Sequence, residues 1–173
     1  MRTLLPFIAL LFIAACKGKS PSPMTEQDMA RAQKDLVEEN RRQHNAEMKN
    51  IKEYIEKSGV PMEETSTGLH YRIYENGTGP KALKDEHVWI AYSIGLLDGT
   101  ICYTADVTNP KHVHIGHDNV ESGLHEALQL MRAGDKARFI FPSHLAFGFT
   151  GDSQKIPQNA SVIYDIQLLR IEP

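Results

Sequence analysis

Residues 121–171, ESGLHEALQLMRAGDKARFIFPSHLAFGFTGDSQKIPQNASVIYDIQLLRI, decide the fold of this chain. Leucines at helical spacing predict a short amphipathic helix over 122–132. Apolar alternation then predicts strands over 136–141 and 162–168, each with one buried face. A long loop ending in Ile156-Pro157 connects them. Apolar and aromatic residues far outnumber plausible acids, bases or nucleophiles, so we expect any chemistry here to belong to an apolar pocket.

The residues before this stretch add further strands. Alternation predicts a strand over 68–74, and β-branched and aromatic residues predict another over 87–97. The Asp98-Gly99 turn closes a hairpin with a strand over 100–104, and 112–115 form another short strand. Several antiparallel strands wrapped on one helix make an α+β domain.

Four segments of this domain have the order and spacing of a known family. They are YSIGLLDG at 92–99, VESGL at 120–124, AFG at 146–148, and IPQNA at 156–160 running on into Tyr164-Asp165. With these segments the chain resembles the FKBP family of peptidyl-prolyl cis-trans isomerases over about residues 64–173. The resemblance implies an FKBP-like antiparallel sheet wrapped on one helix and preceded by a helical stalk.

The resemblance also implies a function, which is isomerisation of X-Pro bonds in proline-containing polypeptide clients, without a metal or cofactor. The residues expected to act in catalysis are Tyr92, Phe147, Ile156 and Tyr164. The residues expected to bind substrate around them are Val120, Leu124, Tyr103 and Cys102. In the family, the backbone N–H at the position of Ile156 is expected to receive the substrate carbonyl.

Several positions depart from the family pattern. Leu124 stands where the family usually has Trp, Phe147 where it has Tyr, and Cys102-Tyr103 where it has Phe-Asp. Glu121 and Lys111 replace an apolar and an aromatic residue. These changes leave an alternative function open, a weakly active or inactive FKBP-fold chaperone or binding module.

The first residues predict an export signal. Residues 1–15, MRTLLPFIALLFIAA, have one basic residue, then an apolar run too short to span a bilayer. The run ends at Cys16 in a sequence that resembles a bacterial lipoprotein cleavage box, which implies acyl chains on Cys16 inserted in the lipid bilayer. Residues 16–24 then form a flexible tether. Because no Asp follows Cys16, we expect a lipid-anchored protein of the bacterial cell envelope, on the outer membrane facing the periplasm.

A helical stalk is predicted between the tether and the domain. Residues 25–57 contain no Gly or Pro, Thr25 and Asp28 have the spacing of a helix start, and the SGVP sequence at 58–61 is a stop signal. The stalk therefore spans 25–58. Its heptads are interrupted, which favours a monomer over a dimer formed through this helix.

Composition excludes some functions. The 173 residues carry a net charge of −3, which gives no clustered positive field for nucleic acid. His112, His114 and His117 leave metal binding as an alternative, but no Cys or carboxylate completes a recognisable ligand spacing. We therefore expect no metal site.

Overall fold

The computed structural model of the chain describes residues 24–172. The predicted leader 1–15, the lipidation site Cys16 and most of the tether predicted at 16–24 lie outside the described residues. The elements in chain order are α1 (Glu26–Ser58), β1 (Glu63–Glu64), β2 (His70–Glu75), β3 (His87–Leu96), β4 (Ile101–Ala105), β5 (Lys111–His114), α2 (Ser122–Leu130), β6 (Lys136–Phe141), a 3-10 helix (Ser143–Leu145) and β7 (Val162–Glu172).

Local hydrogen bonds set both ends of α1. The Thr25 N–H donates to Asp28 Oδ2 at 3.1 Å, and the Asp28 N–H donates back to Thr25 Oγ1 at 3.2 Å. This reciprocal pair satisfies donors that the first turn leaves without helical partners. Gly59 follows the helix with a φ of 64°, the left-handed conformation that ends helices.

The strands form one antiparallel sheet in the order β1-β2-β6-β7-β3-β4, with β5 pairing β3 beside β4. β7 lies in the middle and pairs β3 from His87↔Glu172 to Leu96↔Val162. On its other side it pairs β6, where Phe139 faces Tyr164. The predicted α+β architecture of an antiparallel sheet with one helix packed on it, preceded by a helical stalk, is confirmed.

Each face of the sheet is covered by a different helix. Side chains of alternate residues, such as Phe139 and Phe141, pack with Leu124 and Leu128 of α2 in the main core. The intervening Ile140 faces the other way and packs with Ile163 and with Ile51 of α1. The sheet is therefore apolar on both faces at this point.

Helix α2 ends earlier than the sequence predicts. It stops at Leu130, and Met131 is extended with φ −96° and ψ 160°. Backbone hydrogen bonding explains the difference, because the Ala82 N–H donates to Met131 O at 3.0 Å and Lys81 forms a bridge with Arg132. Pairing with this segment takes the chain out of the helix before Gly134.

The chain divides into two compact units, with the boundary inside α1 between Glu39 and Asn40. The second unit contains the second half of α1, α2 and the whole sheet. Within it, Glu47 contacts the 3-10 helix: its Oε1 accepts a hydrogen bond from the Ser143 N–H at 2.6 Å.

Candidate functional site

Neighbouring strands bring two of the predicted aromatic residues together. Tyr92 on β3 faces Ile166 on β7, which places Tyr164 two residues away on the same face. The ring centroids of Tyr92 and Tyr164 are 6.0 Å apart, and Tyr164 stacks on Phe141 at 4.6 Å. Tyr164 is only 2% exposed, whereas Tyr92 is half-buried. Tyr164 therefore lies inside the core, and Tyr92 lies at its edge.

The start of α2 contributes an aliphatic surface. Leu124 is buried in the main core, and Val120 packs against that core while half-buried. Gly123 allows this arrangement, because a Cβ on it would lie 2.8 Å from Leu145 O and 3.0 Å from the Phe141 ring. Only glycine lets the first turn of α2 approach the 3-10 helix so closely.

The loop between the 3-10 helix and β7 supplies Phe147 and Ile156. Ile156 is buried, and Phe147 packs half-buried on the same core. The loop folds back on itself, since the Asp152 N–H donates to Ile156 O at 3.1 Å. Gly151 has a φ of 62°, and a Cβ there would lie 2.2 Å from Ile156 O, so a side chain at this position would open the loop.

All eight predicted site residues belong to the main core cluster or pack directly against it. We give the name aromatic slot to the site predicted at Tyr92, Phe147, Ile156 and Tyr164.

The Asp152 carboxylate holds closed the loop between the 3-10 helix and β7, which we call the slot loop. Asp152 Oδ1 accepts hydrogen bonds from the backbone N–H groups of Gln154, Lys155 and Ile156 at 2.9, 2.9 and 2.8 Å. Its Oδ2 accepts a hydrogen bond from the Tyr103 hydroxyl, which ties the loop to β4. We call the Tyr103–Asp152 pair the loop latch.

The latch shifts the pKa values of both partners. Burial favours the protonated carboxyl, but the hydrogen bonds from Tyr103 and the loop N–H groups outweigh it and lower the pKa of Asp152 to about 2. The hydrogen bond to Asp152, followed by burial and the carboxylate charge, raises the pKa of Tyr103 to about 12. Both groups therefore keep the protonation states that the latch requires across the neutral range.

The Ile156 N–H is engaged within its own loop, and its expected role in substrate binding stays a prediction. This group was predicted to receive a substrate carbonyl, but it already donates to Asp152 Oδ1 at 2.8 Å. The carboxylate is a stronger acceptor than a neutral carbonyl. The Ile156 side chain remains available as a wall of the slot.

Cys102 lies beneath the loop. Its side chain is buried, burial raises the pKa of its thiol, and its carbonyl accepts a hydrogen bond from Lys155 Nζ at 2.8 Å. The same ammonium lies 4.9 Å from the centroid of the Tyr103 ring. Cys102 supports the latch from the core, and its contact with substrate stays a prediction.

Glu121 is the residue that the sequence reasoning noted only as a departure. Burial, followed by the Glu121 charge, raises the pKa of Tyr92, and the same two causes raise that of Tyr164. Its carboxylate is therefore close enough to both phenols to raise their pKa values. Within residues 24–172, the Glu121 backbone N–H donates no hydrogen bond, although it directly precedes α2. The sequence signal for Glu121 was its position directly before α2, between the predicted site residues Val120 and Leu124.

The histidines form a separate cluster on β3 and β5. His87 Nδ1 lies 3.0 Å from His112 Nε2, and the His87 and His114 rings stack at 4.0 Å. His117 Nε2 lies 2.7 Å from Asp85 Oδ1. No group of three or more His, Cys, Asp or Glu in the described part of the chain is arranged to hold a metal ion.

Among the helices within residues 24–172, neither α1 nor α2 has the length and apolarity needed to cross a membrane.

Residues 79–169, more than half of the chain, match the profile of the family described as FKBP-type peptidyl-prolyl cis-trans isomerase. The chain belongs to this family. The predicted FKBP resemblance is thus confirmed, and its slot residues Tyr92, Phe147, Ile156 and Tyr164 all lie within the matched range.

Bacterial FKBP-type isomerases are among its relatives. The chain is 35% identical over 121 residues to a probable FKBP-type isomerase FkpA of Neisseria meningitidis serogroup B, covering 70% of this chain and 43% of the relative. It is 34% identical over 149 residues to FkpA of Aeromonas hydrophila, covering 86% and 53%. The chain spans about half the length of these curated relatives.

Solved FKBP-type structures are similar in fold. A peptidyl-prolyl cis-trans isomerase from Pseudomonas syringae pv. tomato matches with a TM-score of 0.64 and 27% identity, covering 75% of this chain and 96% of that one. FkpA from Escherichia coli matches with a TM-score of 0.64 and 25% identity, covering 88% and 75%.

Proposed function

We propose that the protein is a peptidyl-prolyl cis-trans isomerase that assists protein folding in the bacterial envelope. The observation that carries the proposal is that Tyr92 and Tyr164, whose ring centroids lie 6.0 Å apart, share one core cluster with Phe147 and Ile156. Membership of the FKBP-type family supports it. Proline-containing polypeptides are the substrates, and no cofactor takes part.

An apolar slot suits this reaction. Rotation about an X-Pro bond crosses a barrier of about 18–20 kcal/mol, because the planar amide is stabilised by resonance. The twisted transition state has lost that charge separation, so an apolar environment favours it relative to the planar ground state. Removing about 4 kcal/mol from the barrier accelerates the reaction roughly a thousandfold, and no proton transfer is needed.

We assign the carbonyl-binding donor to the Glu121 N–H. The Ile156 N–H is occupied by Asp152, whereas the Glu121 N–H has no acceptor within the described residues, and the neighbouring Val120 packs on the same core as the slot residues. A substrate carbonyl bound here would lie next to Val120, with the proline ring packed against Tyr92. Leu124, Val120 and Tyr103 then complete the substrate-binding surface above Cys102.

The test is an isomerisation assay on a tetrapeptide with one X-Pro bond. Wild-type protein is compared with Tyr92→Ala and Phe147→Ala, and with Leu83→Ala as a control, since Leu83 is an apolar residue that is 58% exposed. We expect kcat/KM to fall at least about tenfold in the two slot variants, which corresponds to about 1.4 kcal/mol of lost transition-state stabilisation. The control variant should match wild type.

Two outcomes would contradict the proposal. An active wild type with unaffected slot variants would mean that the slot is assigned to the wrong residues. An inactive wild type that still suppresses aggregation of an unfolded protein would favour the second function, an FKBP-fold chaperone or binding module. The smaller Leu124 surface favours that alternative, because a proline ring packs against less area there.

We also propose that the protein is lipid-anchored through Cys16, on the outer membrane facing the periplasm. The support is the sequence of residues 1–16, together with bacterial relatives. Metabolic labelling with an alkyne-bearing palmitate should mark wild type and leave Cys16→Ala unmarked. Equal labelling of both proteins would refute the anchor.

A monomer is the proposed state in solution. The first part of α1 carries few apolar residues, and Met29, Leu36 and Val37 are each more than half exposed. Such a sparse apolar surface does not sustain a coiled-coil seam. Sedimentation equilibrium of the described chain should give a monomer mass at tens of micromolar, and a dimer mass would overturn this.

A further inference from the structure

A second concave surface lies beside the slot, in the unit that begins at Asn40. The groove has a volume of about 320 Å³ and lies between the second half of α1 and the segment that carries the 3-10 helix. Asn40, His44 and Glu47 line one side, and His144 and Phe149 line the other. None of these residues belongs to the aromatic slot.

Hydrogen bonds of Glu47 hold the base of the groove together. Glu47 Oε1 accepts hydrogen bonds from the Ser143 N–H at 2.6 Å and the Ser161 hydroxyl at 2.7 Å, and Oε2 accepts one from the Ser143 hydroxyl at 3.1 Å. Among the described residues that line the groove, Glu47 is the only Asp, Glu, Lys or Arg. The Glu47 carboxylate is therefore engaged in hydrogen bonds at the base of the groove, and the groove suits an uncharged ligand.

Phe149 presents the largest apolar surface to this groove. Its side chain is 66% exposed, more than any other large apolar residue of the second unit. Exposed aromatic surface next to a concave site is typical of a binding surface. The His44 and His144 rings, 6.4 Å apart, and the amides of Asn40 and Asn159 supply polar groups at the rim.

The groove and the slot are linked along the chain by three consecutive residues. Phe147 packs on the core as a slot residue, whereas Gly148 and Phe149 line the groove. Gly148 is fixed from both sides, since its N–H donates to Ser143 O at 2.8 Å and its carbonyl accepts from the Asn159 N–H at 3.0 Å. Consecutive Cα atoms are 3.8 Å apart, so those of Phe147 and Phe149 lie within about 7.6 Å of each other.

We propose that this groove binds the client polypeptide beside the isomerised bond, with an apolar side chain packed on Phe149. An extended chain advances about 3.3 Å per residue, which places that side chain about two to four residues from the proline. This short link to the slot favours a client over a second copy of this chain. The inference rests on the proposed isomerase function and extends it to a preference for clients longer than a tetrapeptide.

The experiment uses labelled ten-residue peptides with one X-Pro bond and a Leu or a Ser three residues from the proline, on either side in separate peptides. Affinities are measured by fluorescence anisotropy for wild type, Phe149→Ser and the control Leu83→Ser, after thermal unfolding shows that all three are folded. Amide shifts of Phe149, Asn159 and residues 40–47 are followed by NMR during titration.

The Leu or Ser residue stands either before or after the proline, and we expect a difference for one of these two placements. There the Leu peptide should bind wild type and Leu83→Ser at least about fivefold more tightly than the Ser peptide. Phe149→Ser should lose this difference, and the shifts should appear with the Leu peptide but not with a tetrapeptide. Equal binding of Leu and Ser peptides to wild type would overturn the proposal, as would equal losses in both variants. Self-association that Phe149→Ser abolishes, without peptide discrimination, would assign the groove to a second copy. Tetrapeptide isomerisation by wild type tests the underlying function separately.

Discussion

At the scale of single residues, the slot loop is held by a pair that no family pattern indicated. The hydroxyl of Tyr103 donates a hydrogen bond to Asp152 Oδ2. The other carboxylate oxygen accepts hydrogen bonds from three backbone N–H groups, including that of Ile156. Ile156 is thus positioned through Asp152, which lies outside the predicted slot. Tyr103, expected at the substrate rim, also acts as a positioning residue.

Removing the Tyr103 hydroxyl should loosen the slot loop at Ile156. In Tyr103→Phe we expect faster amide hydrogen exchange at Ile156 and a fall of about threefold in kcat/KM on a tetrapeptide, which corresponds to a small loss of preorganisation. Tyr74→Phe, at an exposed tyrosine on β2, is the control and should change neither quantity. Faster exchange without any change in kcat/KM would show that the latch is structural only.

The latch should be insensitive to pH near neutrality. The pKa of Asp152 is lowered to about 2, so its contribution to stability is full above its ordinary value of 3.8 and is lost as the pH falls towards 2. The pKa of Tyr103 is raised to about 12, so its contribution is full below its ordinary value of 10.0 and is lost as the pH rises towards 12. The Tm difference between wild type and Tyr103→Phe should therefore stay constant from about pH 5 to 9 and shrink below about pH 4. A difference that changes steadily between pH 5 and 9 would contradict this.

The Glu121 N–H can be removed with little change of backbone shape. Its φ of −58° is one that proline adopts, so Glu121→Pro deletes the donor, while Glu121→Ala deletes the carboxylate and keeps the donor. We expect kcat/KM of the Pro variant to be about 3- to 10-fold below that of the Ala variant, the value of one hydrogen bond. Equal rates in the two variants, both folded by circular dichroism, would exclude this N–H as the carbonyl donor.

Sequence reasoning found the apolar residues of the site but not its hydrogen bonds. Tyr164 and Ile156 stand in motifs or alternating strands, where spacing alone predicts burial. Tyr103 and Asp152 are 49 residues apart, and nothing in either local sequence indicates that they meet. The acceptor of the Ile156 N–H could not be predicted for the same reason, since it depends on how the loop folds.

At the scale of elements, helix α1 has two different halves. Its second half packs Ile51 on Ile140 and Ile163, and Ile51 is completely buried. The sequence predicted one inward face for β6, through Phe139 and Phe141, because alternation identifies the apolar periodicity of a strand. It did not assign a partner to Ile140, which requires knowing that a helix covers the opposite face.

Truncation in the second half of α1 should be costly. Ile51→Ala removes a fully buried side chain from a small cluster, and we expect the free energy of unfolding to fall by about 2–5 kcal/mol. Leu36→Ala is the matched control on the same helix, at a position 64% exposed, with an expected change within about 0.5 kcal/mol. Urea denaturation measures both, and equal effects would mean that α1 does not stabilise the sheet.

At the scale of the whole molecule, the boundary between Glu39 and Asn40 predicts where the chain can be shortened. A chain that begins at Asn40 retains Glu47 and Ile51 and should unfold at the same temperature as the full chain. One that begins at Gly59 loses both contacts and should unfold at least about 4 °C lower, the shift expected for each lost kcal/mol in a domain of this size. Differential scanning calorimetry decides, and equal Tm values for the two shortened chains would contradict the prediction.

The position of β7 has a consequence for biosynthesis. This 11-residue strand lies between β6 and β3, yet it follows every other described strand in the chain. The ribosome therefore synthesises β3 and β6 before β7, the strand that joins them. Until residues 162–172 emerge, β3 and β6 expose unpaired edges, which are templates for aggregation. Native sheet formation must wait until this segment has left the ribosome, and during that interval the nascent chain is exposed to aggregation.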